Sequence, residues 1–314
     1  MHGICMNKQS LNLDSAVKPR EIAVSTATDS RLNWWPSPAK LNLFLHINGR
    51  YKNGYHQLQS LFQILDYGDE LAFDINCSDT ITLADSITGV ADEDNLIIKA
   101  ALLLKQSLPN KKSKGLGCTI HLRKRLPMGG GIGGGSSNAA TTLLVLNQLW
   151  DCQLSEAKLA TLGLTLGADV PIFIQGKTAF AEGVGEKLQT VSLPTKTYLV
   201  VVPDSHVSTA EVFSLPDLPR NTTKINFIDY SFANTHNDCQ ELVCDRYPNV
   251  AKALHWLLEY APSRMTGTGA CVFAIFDHHK EALDVQALLP EGSISFVANG
   301  VNTSLLHGQI QAHI

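Results

Sequence analysis

From Lys40 to Ile47 apolar and polar positions alternate: Leu41, Leu43, Leu45 and Ile47 fall on one side, Lys40, Asn42, Phe44 and His46 on the other. A period of two is that of an extended strand, so Lys40 and Asn42 leave it on the same face. Asn53-Gly54 marks a turn, and Thr80 to Leu83 reads as a further strand. At Asp94-Asn95 the period changes, with Leu96, Ile97, Ala100, Ala101 and Leu104 recurring at helical spacing. Cys118 to Pro127 alternates again as a short, very basic strand closed by proline. Leu143, Leu144, Leu146, Leu149 and Trp150 predict a helix with Ser136 or Ser137 as its N-cap. Leu154 to Leu166 predicts another, ended by Gly167, after which Ala168-Asp169-Val170-Pro171 leads into the apolar Ile172-Phe173-Ile174. Tyr198 to Val202 reads as a buried strand, Ser214 to Thr223 as a loose proline-containing stretch, Ala251 to Tyr260 as a helix, and Cys271 to Phe276 as a strand. Strands and helices mix without a strict βαβ rhythm, which predicts the α+β class. The same pattern sets a domain boundary only loosely, near 185–195.

Between the basic strand and the helix runs Pro127-Met128-Gly129-Gly130-Gly131-Ile132-Gly133-Gly134-Gly135-Ser136-Ser137. Glycine surrenders the most backbone freedom on folding, so such a run suits a place where backbone must approach a ligand closely. Free N–H groups and the positive end of the helix dipole would face whatever the loop encloses. That is the design of a phosphate cradle. A P-loop is not met, because Ser136 stands where its lysine should be. A Rossmann loop fits poorly too, since its first strand is a continuous apolar run and this one is basic.

Size and composition narrow the classes further. The chain has 314 residues, enough for one large or two ordinary domains. Hydrophobic residues make up 44% and charged residues 17%, and the net charge is −4, which argues against a general nucleic-acid binder. No apolar stretch reaches the roughly 18 residues a membrane helix needs. Seven scattered cysteines without Cys-x-x-Cys imply free thiols in a reducing compartment, and His236, Cys239 and Cys244 lack a fourth metal ligand at sensible spacing. Residues 1 to 33 lack the apolar core of a signal peptide and carry Asp14, Glu21 and Asp29, unlike a transit peptide. They read as a disordered leader, or as a consequence of start-site choice, and deleting residues 1–31 is expected to leave stability and turnover nearly unchanged. Cytoplasmic localisation follows, with a plastid as the lesser alternative.

Three ordered motifs over about 230 residues carry a resemblance. Pro38-Ala39-Lys40-Leu41-Asn42-Leu43, the glycine loop from Pro127 to Ser137, and Thr266-Gly267-Thr268-Gly269-Ala270 are similar to the signature motifs of the GHMP small-molecule kinases, the family of galactokinase, homoserine kinase and mevalonate kinase. The resemblance implies an N-terminal ATP-binding domain of ribosomal-protein-like fold over 34–190 and a ferredoxin-like C-terminal domain over 191–314. It also implies an active site in the cleft between them, ATP as co-substrate and Mg2+. The loop from Pro127 to Ser137 would hold ATP, with Asn95 near the adenine, Lys124 in a lesser role, and Gly267, Thr268 and Gly269 closing the site. Gly167-Ala168-Asp169-Val170-Pro171 matches the family's catalytic aspartate motif. Asp169 would take the acceptor's proton, and Lys40 would contact both Asp169 and the acceptor hydroxyl, its charge favouring the alkoxide. Ser137 is a candidate metal ligand, without a matching acid.

A narrower likeness, in Asn53-Gly54-Tyr55-His56, Leu61 to Asp69, and Pro262 to Ala270, points to a branch whose acceptor is a methylated sugar alcohol carrying a cytidine diphosphate group. Tyr55 and Phe213 would sandwich the cytosine, His56 would bond its edge, and Asn42 and Thr209 would line the acceptor pocket. A turn tyrosine and a core phenylalanine are the plain structural alternatives. Other acceptors (homoserine, mevalonate, a sugar) and a catalytically silent nucleotide-binding relative compete with this reading, and an NAD-binding oxidoreductase stands further off. A silent relative would be expected to lose the pair Lys40 and Asp169. Partners are otherwise expected to be few: no nucleic acid, no membrane, and a monomer or weak homodimer.

Overall fold

The structure is a computed structural model describing residues 32–87 and 89–313, so all but the last two residues of the leader read at 1–33 lie outside the described residues. Strands β1 (Trp34–Arg50) and β2 (His56–Asn76) form a long antiparallel pair from Trp34↔Ala72 to Arg50↔His56, interrupted by three register shifts. The turn between them is the one Asn53-Gly54 predicts, with the Gly54 N–H donating to the Tyr51 carbonyl at 2.9 Å. Both faces of β1 are buried. Lys40, Asn42 and His46 are as buried as Leu41 and Ile47, because the strand is covered on both sides. A register shift between Asn42 and Leu45 carries it from one core into another. Leu41, Leu43 and Phe44 pack with Tyr198, Phe273 and Phe296, whereas Leu45 and Ile47 join Val243, Val250 and Leu257.

The other partners of β2 occupy successive stretches of it. Strand β5 (Ala179–Gly183) pairs with Leu58–Phe62, β10 (Ile294–Val301) meets Ile64 and Leu65, and β4 (Gly117–Arg123) pairs with Glu70–Asn76. Beyond them lie β3 (Ile81–Leu83) on β4, β6 (Lys187–Thr190) on β5, and, past β10, the order β7 (Thr197–Val202), β9 (Val272–Phe276) and β8 (Ser263–Met265). Only β3 and β4 pair in parallel among the described strands. One sheet thus runs through both halves of the chain.

Helices cover it in two groups. In the first half α1 (Leu96–Gln106), α3 (Gly134–Leu149), α4 (Glu156–Leu166) and α5 (Val170–Gln175) bury Ile97, Leu104, Leu143, Leu159 and Ile174 against Phe62 and Ile120, with the single turn α2 (Asn110–Ser113) outside. In the second, α6 (Thr209–Ser214), α7 (Gln240–Arg246), α8 (Pro248–Leu258) and α9 (His279–Gln286) bury Val212, Val243, Leu254 and Ala282. Helix α10 (Leu305–Ala312) returns to the first half, where Leu306 packs with Trp35 and Val145. Starts follow local chemistry: Asn95 accepts from the Ile97 N–H, Ser155 from Lys158, Ser208 from Glu211 and Ser304 from Leu306. Helix α3 is the exception to the predicted Ser136 or Ser137 cap. Its N-cap is Gly133 at φ +77°, an αL conformation that glycine adopts without a side-chain penalty, so the helix begins inside the glycine run.

Candidate active site

The early start of α3 decides what the loop presents. The N–H groups of Gly134, Gly135 and Ser136 precede any intrahelical acceptor and have no partner among the described residues. They make the anion-binding end that the glycine run predicts. The loop is pressed against its surroundings: a Cβ at Gly131 would stand 2.5 Å from the Thr266 carbonyl, and one at Gly133 would stand 2.7 Å from Phe173. The loop is also tied on both flanks. Lys40 N–H donates to the Ile132 carbonyl at 3.0 Å and Cys271 N–H to Gly130 at 3.1 Å. Burial pushes the Cys271 thiol up to about 12, so it packs as a neutral group. Of the loop's first residues, Gly129 is exposed and lies against His206, while Met128 is 57% exposed and points away from the cleft.

The loop's entry is held by Asp69, a residue to which the sequence motifs assign no role. The buried carboxylate of Asp69 accepts from Lys124 Nζ at 2.8 Å, from the Arg125 and Leu126 N–H groups at 2.7 Å each, and from Asn138 Nδ2 at 3.0 Å. It pins the end of β4 and the first turn of α3 together, with Lys124 beside Gly134. No local pattern marks Asp69, because its partners lie 55 to 69 positions away. Ser37 extends the network, its hydroxyl donating to Asn138 Oδ1 and sharing a hydroxyl contact with Ser137 Oγ at 2.9 Å. Ser137, the candidate metal ligand, is fully buried there, whereas Ser136 is the serine that lines the cleft.

Facing the loop is a cleft of about 290 Å³ lined by Lys40, Asn42, Gly131, Gly133, Ser136, Asp169, Thr209, Phe213, Gly267 and Thr268. Lys40 Nζ stands 3.1 Å from Asp169 Oδ2 and donates to Asn42 Oδ1 and the Gly131 carbonyl. An ammonium has three donors, so these acceptors satisfy it. Asp169 sits at the N-cap of α5 without capping it, and its carboxylate is 36% exposed toward the cleft. The third glycine motif is fastened from outside: Asn237 Nδ2 donates to the Met265 and Gly267 carbonyls at 2.8 Å each, and Thr266 Oγ1 accepts the Asn42 N–H. Thr268 and Thr209 share a hydroxyl contact at 2.9 Å, joining that motif to α6. Gly269 lies behind, against Met265.

The predicted base-binding residues are less uniformly placed. Phe213 lines the cleft, and His56 is buried and stacked on it, ring centroids 5.0 Å apart. Tyr55 is 65% exposed at the hairpin and does not line the cleft. Burial, with the positive charges of Arg220 and Arg50, lowers the His56 pKa from its usual value. Asn95 caps α1 through Oδ1, leaving its buried Nδ2 without a hydrogen-bond partner. Leu96, next to it, lies against Gly135, so an unused donor stands near the anion-binding helix end. This suits a nucleotide base in the place the resemblance gives it. Among the described residues no group of three metal-ligating side chains occurs. Asp169 is the one carboxylate among the described residues lining the cleft, so Mg2+ would depend chiefly on phosphate oxygens.

Sequence comparison agrees with this geometry. The pattern described as "GHMP kinases N terminal domain" matches residues 95–177, and "GHMP kinases C terminal" matches 223–291. The 4-diphosphocytidyl-2-C-methyl-D-erythritol kinase of Pseudoalteromonas atlantica is 63% identical over 286 residues, 91% of this chain and 98% of the relative. The kinase of the same name from Shewanella loihica is 57% identical over 91% of this chain and 100% of its own length. A crystal structure of 4-(cytidine 5'-diphospho)-2C-methyl-D-erythritol kinase superposes with a TM-score of 0.74 at 27% identity, covering 86% of this chain and 100% of that one. The chain belongs to the GHMP kinase family, ATP-dependent small-molecule kinases with the two-domain α+β fold. Within it, the relatives that share most of its sequence bear the cytidyl-substrate kinase name.

Proposed function

We propose that this protein transfers the γ-phosphate of ATP to the 2-hydroxyl of 4-(cytidine 5'-diphospho)-2-C-methyl-D-erythritol, in the non-mevalonate route to isoprenoid precursors. The observation that carries the chemistry is the Lys40–Asp169 pair, 3.1 Å apart at the floor of a cleft walled by the glycine loop. Phosphoryl transfer leaves little covalent work to the protein, so positioning and charge stabilisation dominate. The N–H groups of Gly134, Gly135 and Ser136 would bind phosphate oxygens, Asn95 would meet the adenine through Nδ2, and Lys124 would stand beside the nucleotide. Bound Mg2+ supplies charge neutralisation at the phosphates. Asp169 would accept the proton of the acceptor hydroxyl while Lys40 stabilises the oxygen that attacks. Asn42 and Thr209 would line the acceptor's polyol, and Phe213, His56 and Tyr55 its base.

The division of labour between 34–190 and 191–314 belongs to the same proposal, supported by the separate cores on either side of the cleft. So do a cytoplasmic place and a monomer or weak dimer. No described helix is long and apolar enough to cross a membrane. Coupled ADP release with the cytidyl acceptor against homoserine, mevalonate and galactose tests the function. Turnover with the cytidyl compound alone is expected, and equal or greater turnover with another acceptor would overturn it.

A further inference from the structure

Arg220 meets His56 from 164 positions away in the chain, Nε donating to His56 Nε2 at 3.1 Å. The same guanidinium is fixed by carbonyls at the end of α6 and just after it. Nη2 donates to Leu215 at 2.7 Å and Phe213 at 3.4 Å, and Nη1 donates to Leu218 at 2.9 Å and Pro216 at 3.1 Å. One cation therefore orients both members of the His56–Phe213 stack. A guanidinium has donors only and keeps its protons, so His56 must offer a lone pair at Nε2. In a neutral imidazole the remaining hydrogen is then on Nδ1, and that atom has no hydrogen-bond partner among the described residues. The charged groups facing the ring are Arg220 and Arg50, both cationic, so neither favours a second proton.

We infer that Arg220 is a positioning residue for the acceptor's base: it holds His56 as the Nδ1–H tautomer, a one-way donor that reads the N3 acceptor of cytosine. The inference rests on the cytidyl-acceptor reading and deepens it. Cytosine presents a lone pair at N3, whereas uracil presents N3–H there. A fixed donor accepts the first and opposes the second. A site built to pair with one pattern and left unpaired by the other discriminates strongly.

Nitrogen-15 NMR of histidine-labelled protein at pH 7, with the His56 signals assigned by their loss in His56→Asn, reads the tautomer directly. Protonated Nδ1 with unprotonated Nε2 is expected; an Nε2–H tautomer or an imidazolium overturns the inference. Kinetics supply the second arm. Wild type is expected to prefer the cytidyl acceptor over its uridyl analogue by about 10–100-fold in kcat/KM. Arg220→Leu should lose most of that preference through the acceptor KM, with the ATP KM scarcely changed, and Arg220→Lys, which keeps a donor for Nε2, should recover part of it. An unchanged preference in folded Arg220→Leu overturns the inference. Should Arg220→Leu fail to fold, the wild-type tautomer and Arg220→Lys decide. A wild type that phosphorylates neither compound refutes the proposed function instead, while the NMR result still decides the tautomer.

Discussion

Lys40 carries a full charge at 2% exposure, and it is tolerable there because Asp169, Asn42 and the Gly131 carbonyl take its three hydrogens. The arrangement makes the pair a unit. Asp169→Asn should bind ATP about as well as wild type and lose turnover by roughly 10²–10⁴-fold, the usual worth of a positioned general base. Lys40→Ala should lose comparably, and the double variant far less than the product of the two. Near-normal turnover in Asp169→Asn would remove that carboxylate from the chemistry. At the base end, Phe213→Ala and Tyr55→Ala should each weaken the cytidyl acceptor by about 1–3 kcal/mol, the worth of a base stacked on an aromatic ring. ATP affinity should not move with them. The more exposed Tyr55 is the sharper test, since its removal cannot open a core; a parallel loss of both ligands in a folded variant would dismiss the sandwich.

The elements that build the site work by contact rather than propensity, and the glycine loop shows it. Gly133→Ala would place a methyl 2.7 Å from Phe173 and 3.2 Å from Lys40 Cε, at a backbone φ of +77°. The αL strain alone is roughly 1–2 kcal/mol. The substitution should depress turnover at least tenfold by shifting both α5 and the lysine, while secondary structure is kept by circular dichroism; undiminished turnover would mean that the loop need not approach so closely. Periodicity located α1, α3, α4 and α8 in the sequence, and the turn at Asn53-Gly54, because those signals are local. It gives the alternation of β1 but not that both of its faces are buried. Only the second half of the chain, folded over Asn42 and His46, shows why the polar face is buried. The cap of α3 was misread for a related reason: serine preference ranks ordinary starts, whereas a positive-φ glycine begins this one. Lys40, Asp169 and the loop were legible through their motifs. Asp69, Asn237 and Arg220 were not, since the contacts that matter to the site join each to residues 28 to 164 positions away.

Across the whole molecule, the seam where β1 passes into the second half contains a titratable group that should set acid stability. His46 is 2% exposed, its Nε2 accepts the His236 N–H, and burial together with His236 lowers its pKa to about 4. Half-buried His307 is lowered as well, chiefly by desolvation. An unfolded histidine binds its proton near pH 6.5 and the folded one does not. Stability from these groups is therefore complete above pH 6.5 and falls as pH drops from 6.5 toward 4, by on the order of 3 kcal/mol for His46. Urea unfolding at pH 7.5 and pH 5 should show the loss, and His46→Gln, which keeps an acceptor for His236, should reduce it. An identical pH slope in that variant would place the acid sensitivity elsewhere. The sheet's path has a further consequence, for biosynthesis. Trp35 packs with Leu306, and the Trp34 carbonyl accepts from Gln309, some 270 residues later in translation. On the ribosome the first half must wait with that tryptophan covered only on its Val145 side and part of β2 unpaired until β10 and α10 have left the exit tunnel. Nascent chains of this kinase should thus be substrates for chaperones that shield apolar surface, up to the moment when α10 docks.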